Sequence, residues 1–174
     1  FGDSAFPRGV SLTSIVIPNS VTSIGDCAFY GCDSLTSIVI PDSVTSIGYR
    51  AFENCGSLKY NVKDNLKYLG NAKNLYLYLA DTTSTSITSA NIDSSCKIIG
   101  YSAFYECLRL MSVIIGDSVT SIGDSAFSGC DSMTSVVIGN CVTSIGWRAF
   151  KDCSSLSEIT CWATTPPTIE PDTF

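Results

Sequence analysis

The chain has 174 residues, 45% of them apolar and only 15% charged, with 10 Lys plus Arg against 16 Asp plus Glu. That is enough apolar material for one continuous core, while a net charge of −6 offers no basic surface to a phosphate backbone, so a nucleic-acid partner is not expected. Histidine is absent, which removes histidine-activated nucleophiles, histidine general bases and the common zinc ligand sets. The chain therefore reads as a non-enzyme without a cofactor.

A 23-residue period runs through the chain. Gly2, Gly25 and Gly48 are spaced by 23, as are Gly100, Gly123 and Gly146, and an Ala-Phe pair follows each from Ala5-Phe6 to Ala149-Phe150. A period of this size marks a repeat architecture. One copy reads Gly25, Ala28, Phe29, Cys32, Leu35, Ile38, Ile40, Val44, Ile47. The first four apolar positions after the glycine have helical spacing, which predicts a short helix, and Ile38 and Ile40 alternate as a strand does. Pro18-Asn19 and Pro41-Asp42 end their strands as turns. Val44 and Ile47 then return to the core on an arm expected to be extended with a bend. A unit this small cannot cover both sides of its own apolar layer, so copies must stack with their strands parallel at about 4.8 Å per copy. The expected fold is an α/β repeat, a right-handed solenoid with short helices and a sheet of short parallel strands. Residues 1–174 are read as one solenoid domain.

Between Phe52 and Phe104 the spacing is 52 residues, two periods plus six. Counting back from Gly100 recovers Ile87, Ala90, Ile92, Cys96 and Ile99 on core columns. In front of them, Leu66–Leu69 and Leu75–Leu79 flank Gly70–Asn74 and predict an inserted β-hairpin at about 66–80. Leu75, Leu77 and Leu79 are expected to face inward, with Tyr76 and Tyr78 on the other side against the neighbouring copy. After Pro166-Pro167, Ile169 and Phe174 restart the columns one residue late. Both ends fall inside a repeat, so the sequence reads as part of a longer array, open to end-to-end self-association.

Leu35-Thr36-Ser37-Ile38-Val39-Ile40-Pro41-Asp42-Ser43-Val44-Thr45-Ser46-Ile47-Gly48 and Gly123-Asp124-Ser125-Ala126-Phe127-Ser128-Gly129-Cys130 resemble the BspA-like leucine-rich repeats, also called the Treponema pallidum type. The resemblance covers nearly the whole chain, the insertion and the closing Thr164–Ile169 segment included. It implies a leucine-rich repeat solenoid in a secreted or surface-attached protein of bacteria or parasitic protists, linked to adhesion to matrix proteins or other cells. It implies no catalytic site.

Of nine cysteines, Cys32, Cys55, Cys107, Cys130 and Cys153 share one column, and Cys96 and Cys161 fall on Val and Ile columns. These seven are expected in the core as free thiols acting as small hydrophobes. Cys27 and Cys141 stand in polar columns and are candidates for labelling or intermolecular linkage. The repeated acids Asp26, Asp33, Asp124 and Asp131, and the turn residues Asn19, Asp42, Asp117 and Asn140, are products of repetition, with no metal-ligand spacing among them.

The candidate ligand surface lies on the strands. Between the two buried positions of each strand one residue points outward, giving the column Val16, Val39, Asn91, Ile114, Val137 and Thr160, flanked by Ser14, Ser37, Ser112 and Ser135. Apolar strips of low charge on a repeat face mark partner sites. The expected function is a non-enzymatic extracellular or cell-surface module that binds a protein or glycan on another cell or in a matrix. The alternative is a structural spacer that presents another domain.

Overall fold

The computed structural model describes residues 1–6 and 11–174. Each regular copy contributes a strand, a second shorter strand and a run of tight turns. The first strands are β1 (Ser14–Val16), β3 (Ser37–Val39), β9 (Ser112–Ile115), β11 (Ser135–Ile138) and β13 (Glu158–Cys161). They pair in parallel at one-copy offsets, Ile15 with Ile38 and Val113 with Val136 with Ile159. The second strands are β2 (Ser23–Ile24), β4 (Ser46–Ile47), β8 (Ile98–Ile99), β10 (Ser121–Ile122), β12 (Ser144–Ile145) and β14 (Thr168–Ile169). They stack likewise, Ile99 with Ile122 with Ile145 with Ile169. The chain is thus a solenoid with a 23-residue repeat, and Ile169 rejoins its column despite the one-residue delay.

The Thr-Ser dipeptides that precede the strands tie copies together. Thr36 Oγ1 donates to the Thr13 carbonyl at 2.9 Å, and Thr143 Oγ1 to the Thr120 carbonyl at 3.0 Å. The chain's Ser/Thr richness is therefore partly structural. Strand-ending turns form where expected, with the Val21 and Val44 amides donating to the Pro18 and Pro41 carbonyls.

The expected short helices do not form; among the described residues there is no helix. The Gly25–Leu35 run makes tight-turn bonds such as Tyr30 N–H to Cys27 O and Cys32 N–H to Phe29 O, and its alternate amides go elsewhere. Cys27, Phe29 and Gly31 donate to Tyr49, Ala51 and Glu53 of the next copy at 2.8–2.9 Å. A helix would need those N–H groups for itself. Two left-handed columns complete the turns. Ser4, Cys27, Arg50, Ser102, Ser125 and Arg148 have φ of 49–55°, and Gly31, Asn54, Glu106, Gly129 and Asp152 have φ of 55–75°.

Phenylalanines from successive runs stack through the core, Phe6–Phe29–Phe52 at 5.0 and 5.4 Å and Phe104–Phe127–Phe150–Phe174 at 4.8, 5.1 and 5.5 Å. Between the two stacks stands the insertion. It is larger than the hairpin expected at 66–80: β5 (Asn61–Lys63), β6 (Leu66–Leu69) and β7 (Tyr78–Thr82) form an antiparallel meander, and β7 pairs in parallel with β8. The β5–β6 turn is Asp64-Asn65, both residues at positive φ, the type I′ geometry of tight hairpins.

This layer separates two buried clusters. Leu66, Tyr68, Leu79 and Ile99 pack with the C-terminal stack, whereas Leu69, Leu77, Tyr78 and Ile98 pack with the N-terminal one. The expected inward and outward sets are corrected accordingly. Leu75 is exposed, Leu77 and Leu79 are buried, Tyr78 is buried against Phe52 at 5.7 Å, and Tyr76 is half-buried against Tyr68. The strand period of two sends neighbours to opposite faces, and here both faces are covered. The recovered copy behaves as expected: Ile87, Ala90 and Ile92 pack against the core, Cys96 and Ile99 are buried within it, and Ala90 bridges to Val113.

The meander is clasped to the recovered copy by Asp93, which takes Lys63 Nζ and the Ser95 amide and hydroxyl. Burial pushes the Asp93 carboxyl up, but the bonds from Lys63 and Ser95 outweigh it and hold the group below the ordinary carboxylate range. A carboxylate with a lowered folded-state pKa contributes stability above its unfolded pKa, and that contribution is lost as pH falls through the folded value. Hydrogen exchange of the β5 amides, corrected for the intrinsic pH dependence of exchange, is therefore expected to rise as pH drops below about 4, and Asp93→Asn should remove that pH dependence.

Candidate functional site

The strand column predicted as the ligand surface is present but divided. Val16 and Val39 lie side by side on β1 and β3, and Ile114, Val137 and Thr160 are in register on β9, β11 and β13. Val16 and Ile114 are 71% and 69% exposed, Val39 is exposed at 38%, and Val137 and Thr160 are half-buried. Asn91 is exposed and donates to Asp64 at 3.1 Å. The meander separates the first pair from the rest. Val62, 23 residues after Val39, is also exposed, but β5 turns into the antiparallel meander and does not continue the sheet of β1 and β3. Ser14, Ser37 and Ser112 are exposed and Ser135 half-buried, so the aliphatic column runs beside uncharged hydroxyls.

All nine cysteines are free thiols. In the shared column, Cys55, Cys130 and Cys153 donate to the Phe29, Phe104 and Phe127 carbonyls at 3.1–3.2 Å. Burial pushes the Cys55 and Cys107 thiols up to about 11 and Cys96 up to about 12, which leaves them protonated and unreactive at neutral pH. Cys161, expected in the core, is exposed, because β13 is the outer strand of its sheet; Cys153 is half-buried, Cys27 is half-buried and Cys141 is exposed. The repeated acids serve the stack. Asp26 and Asp124 accept the Tyr49 and Trp147 amides of the next copy at 2.8 Å, and Asp117 accepts the Asn140 amide. Among the described residues, no group of three or more Cys, Asp or Glu is placed to hold a metal ion, and no helix is long and apolar enough to cross a membrane.

A second candidate was missed by the sequence reading: a cleft of about 1000 Å³ between the 49–56 turn run and those of the C-terminal copies, with Lys67, Tyr78, Ala80 and Asp81 of the meander also lining it. Tyr49, Tyr60, Tyr78, Tyr101, Tyr105 and Trp147 line it, six of the chain's eight tyrosines and two tryptophans. The sequence signal was available. The position after the repeat glycine is Asp26 or Asp124 in some copies but Tyr49, Tyr101 and Trp147 in three of those that border the cleft. The Tyr49 and Tyr101 rings meet edge to face at 4.7 Å, and the Arg50 guanidinium lies 4.9 Å from the first ring and 6.0 Å from the second while pairing with Glu53 at 2.9 Å. The Arg148 guanidinium covers the Trp147 ring at 3.9 Å. Burial and the facing Tyr101 push the Tyr49 phenol up, and the bond Arg50 donates to the Tyr101 oxygen favours its charged form.

Stacked parallel strands, a recurrent Phe column and glycine-anchored turns define a leucine-rich repeat protein. More narrowly, the chain belongs to the BspA-type leucine-rich repeat family, whose model matches in six copies over residues 1–75 and 82–174. The residues between the two matches fall within the meander. This family is a repeat scaffold. Among solved structures, the chain is similar to a leucine-rich repeat protein of T. pallidum at 28% identity, covering 92% of this chain and 61% of that one with a TM-score of 0.43. It is also similar to a leucine-rich repeat protein of Bacteroides ovatus at 26% identity, covering 99% and 47% with a TM-score of 0.46. A third is a leucine-rich cell surface protein of Faecalibacterium prausnitzii at 23% identity, covering 86% and 60% with a TM-score of 0.34. The chain thus spans between 47% and 61% of these proteins. No curated protein matches it.

Proposed function

We propose that residues 1–174 are a non-enzymatic binding domain of a secreted or surface-attached protein, one piece of a longer array, that engages a protein or glycan on another cell or in a matrix through its strand face. The observation that carries this reading is the in-register aliphatic column, with Val16 and Ile114 more than two-thirds exposed beside Ser14 and Ser112. Burying such side chains against a partner yields about 25 cal/mol per Å² before the costs of association, and leaving them in water brings the fold nothing. A β-branched residue favours a strand by itself, but threonine would serve that end on a solvated face.

The test is binding of the chain to immobilised matrix proteins and glycans beside a Val39→Lys, Ile114→Lys, Val137→Lys variant. On these strands, with Val137 half-buried, such changes are expected to cost about 1 kcal/mol each, so the variant is compared by circular dichroism, and its fold should persist while binding is lost. Binding that survives in the folded variant would remove the strand face from the reading. Binding by neither protein would favour the spacer, with ligand specificity outside these residues.

A further inference from the structure

Two copies of one motif line the cleft, and they differ in charge. Gly48-Tyr49-Arg50-Ala51-Phe52 and Gly146-Trp147-Arg148-Ala149-Phe150 match position for position, but three residues after the arginine stands Glu53 in the first and Lys151 in the second. Arg50 accordingly pairs with Glu53 at 2.9 Å. Arg148 lies on the Trp147 ring at 3.9 Å with its Nε buried and without a hydrogen-bond partner, and among the described residues neither it nor Lys151 has an ion-pair partner. The cleft's Glu53 and Asp81 are held by Arg50 and Lys67, which leaves the exposed Asp152 as its unpaired acid. In a chain of net charge −6, the cleft keeps an excess of cation.

The main chain adds unused groups of both kinds. In regular copies the amides two, four and six residues after the glycine donate to the next copy, as Ser102, Phe104 and Glu106 do to Asp124, Ala126 and Ser128. Arg50, Phe52 and Asn54 hold those positions at the cleft, but their amides have no acceptor, because β7 stands where the next turn run belongs; the Tyr101 and Tyr105 carbonyls receive no donor. One wall thus offers donors and the other acceptors. A hydroxyl serves either wall, since it donates once and accepts twice, whereas the edge of an extended peptide presents N–H and C=O together. A carboxylate is the fitting partner for a guanidinium fork without one. The Tyr105 and Trp147 rings, 48% and 37% exposed, offer apolar faces against which a sugar ring can lie. We propose that the cleft, of a volume usual for small-ligand sites, binds an acidic oligosaccharide of the uronate class. Arg148 and Lys151 take a carboxylate, the two walls take hydroxyls, and the aromatic rings take the sugar rings. The site shares no residue with the strand column and does not depend on it.

The test titrates the ¹⁵N-labelled chain at physiological ionic strength with tetramers of galacturonate, mannuronate and guluronate, with the same tetramers as methyl esters, and with a tetraglutamate peptide capped at both ends. The expected result is that at least one uronate shifts the Trp147 indole and the Arg50, Phe52 and Asn54 amides. It should bind at least about tenfold more tightly than its ester or the peptide, the factor expected for a charge-assisted bond. Arg148→Gln and Lys151→Gln, both at half-buried positions, should each weaken that uronate by a similar factor with the circular dichroism spectrum unchanged. The folded Val39→Lys, Ile114→Lys, Val137→Lys variant should bind it no more weakly than the native chain. No uronate binding, an ester bound as tightly, or binding unaffected by both glutamine variants would overturn the proposal. A peptide bound as tightly would overturn it by showing that the cleft reads charge without the sugar, and loss of binding in the folded lysine variant would do so by moving the site to the strand face.

Discussion

Phe127→Ala is expected to lower the free energy of unfolding by about 3–5 kcal/mol, the usual cost of deleting a fully buried phenylalanine. Phe127 has no exposed surface and its ring is stacked between Phe104 at 4.8 Å and Phe150 at 5.1 Å. The cavity would open at the centre of the longer stack, with neighbours held in place by their own ladder bonds, the Phe104 and Phe127 amides reaching the Ala126 and Ala149 carbonyls at 2.7 Å. Those bonds limit collapse into the hole, which favours the upper part of the range. In a repeat protein the loss also weakens the interfaces on both sides. Phe6→Ala, in a residue only half-buried at the outer end of the shorter stack, should cost less than half as much. Urea denaturation of both variants measures the difference, and equal midpoints would contradict the stacked column.

The periodic part of the fold was legible because each core column is a direct consequence of stacking. Residues at the same place in successive copies touch, so Phe29 repeats as Phe52 and Ile122 as Ile145. The turn runs were not legible as turns. Ala28, Phe29, Cys32 and Leu35 fit one face of a helix as well as a run of tight turns, and the choice is made by amides that bond to another copy, a long-range fact absent from local spacing. Left-handed residues such as Cys27, Arg50 and Arg148 gave no hint either, since none is Gly or Asn. In the insertion, Asn61-Val62-Lys63 contains a single apolar residue and does not announce a strand; the Asp64-Asn65 turn was the available clue. Of the two candidate sites, the strand column follows from alternation alone. The cleft does not, because it arises from a turn run that one copy lacks.

The layer between the two stacks leaves no room for a side chain at Gly100. A Cβ there would fall 2.3 Å from the Tyr78 hydroxyl oxygen, 2.5 Å from its ring and 2.8 Å from the Leu79 carbonyl oxygen. Tyr78 is buried against Phe52, and burial pushes its phenol well above the ordinary range, so the ring has no easy retreat. Leu79 O is main chain and already accepts the Gly100 amide at 2.8 Å. Gly100→Ala is therefore expected to cost roughly 3 kcal/mol, the upper end of over-packing. Gly116→Ala, where an added Cβ meets nothing within 4 Å, should be close to neutral. Because β7 and β8 supply side chains to both clusters, forcing them apart should also uncouple the stacks. Trp147 and Trp162 both lie C-terminal to the layer, so tryptophan fluorescence should report the C-terminal stack alone, while circular dichroism reports both. In the native chain the two transitions should coincide; in Gly100→Ala they should separate, the N-terminal part unfolding first, since it has fewer copies and would lose its contact with Tyr78. Tyr78→Leu in the same background removes two of the three clashes and leaves the Leu79 carbonyl, so it should restore only part of the loss. Coincident transitions with an unchanged midpoint in Gly100→Ala would show that the layer does not hold the two stacks together.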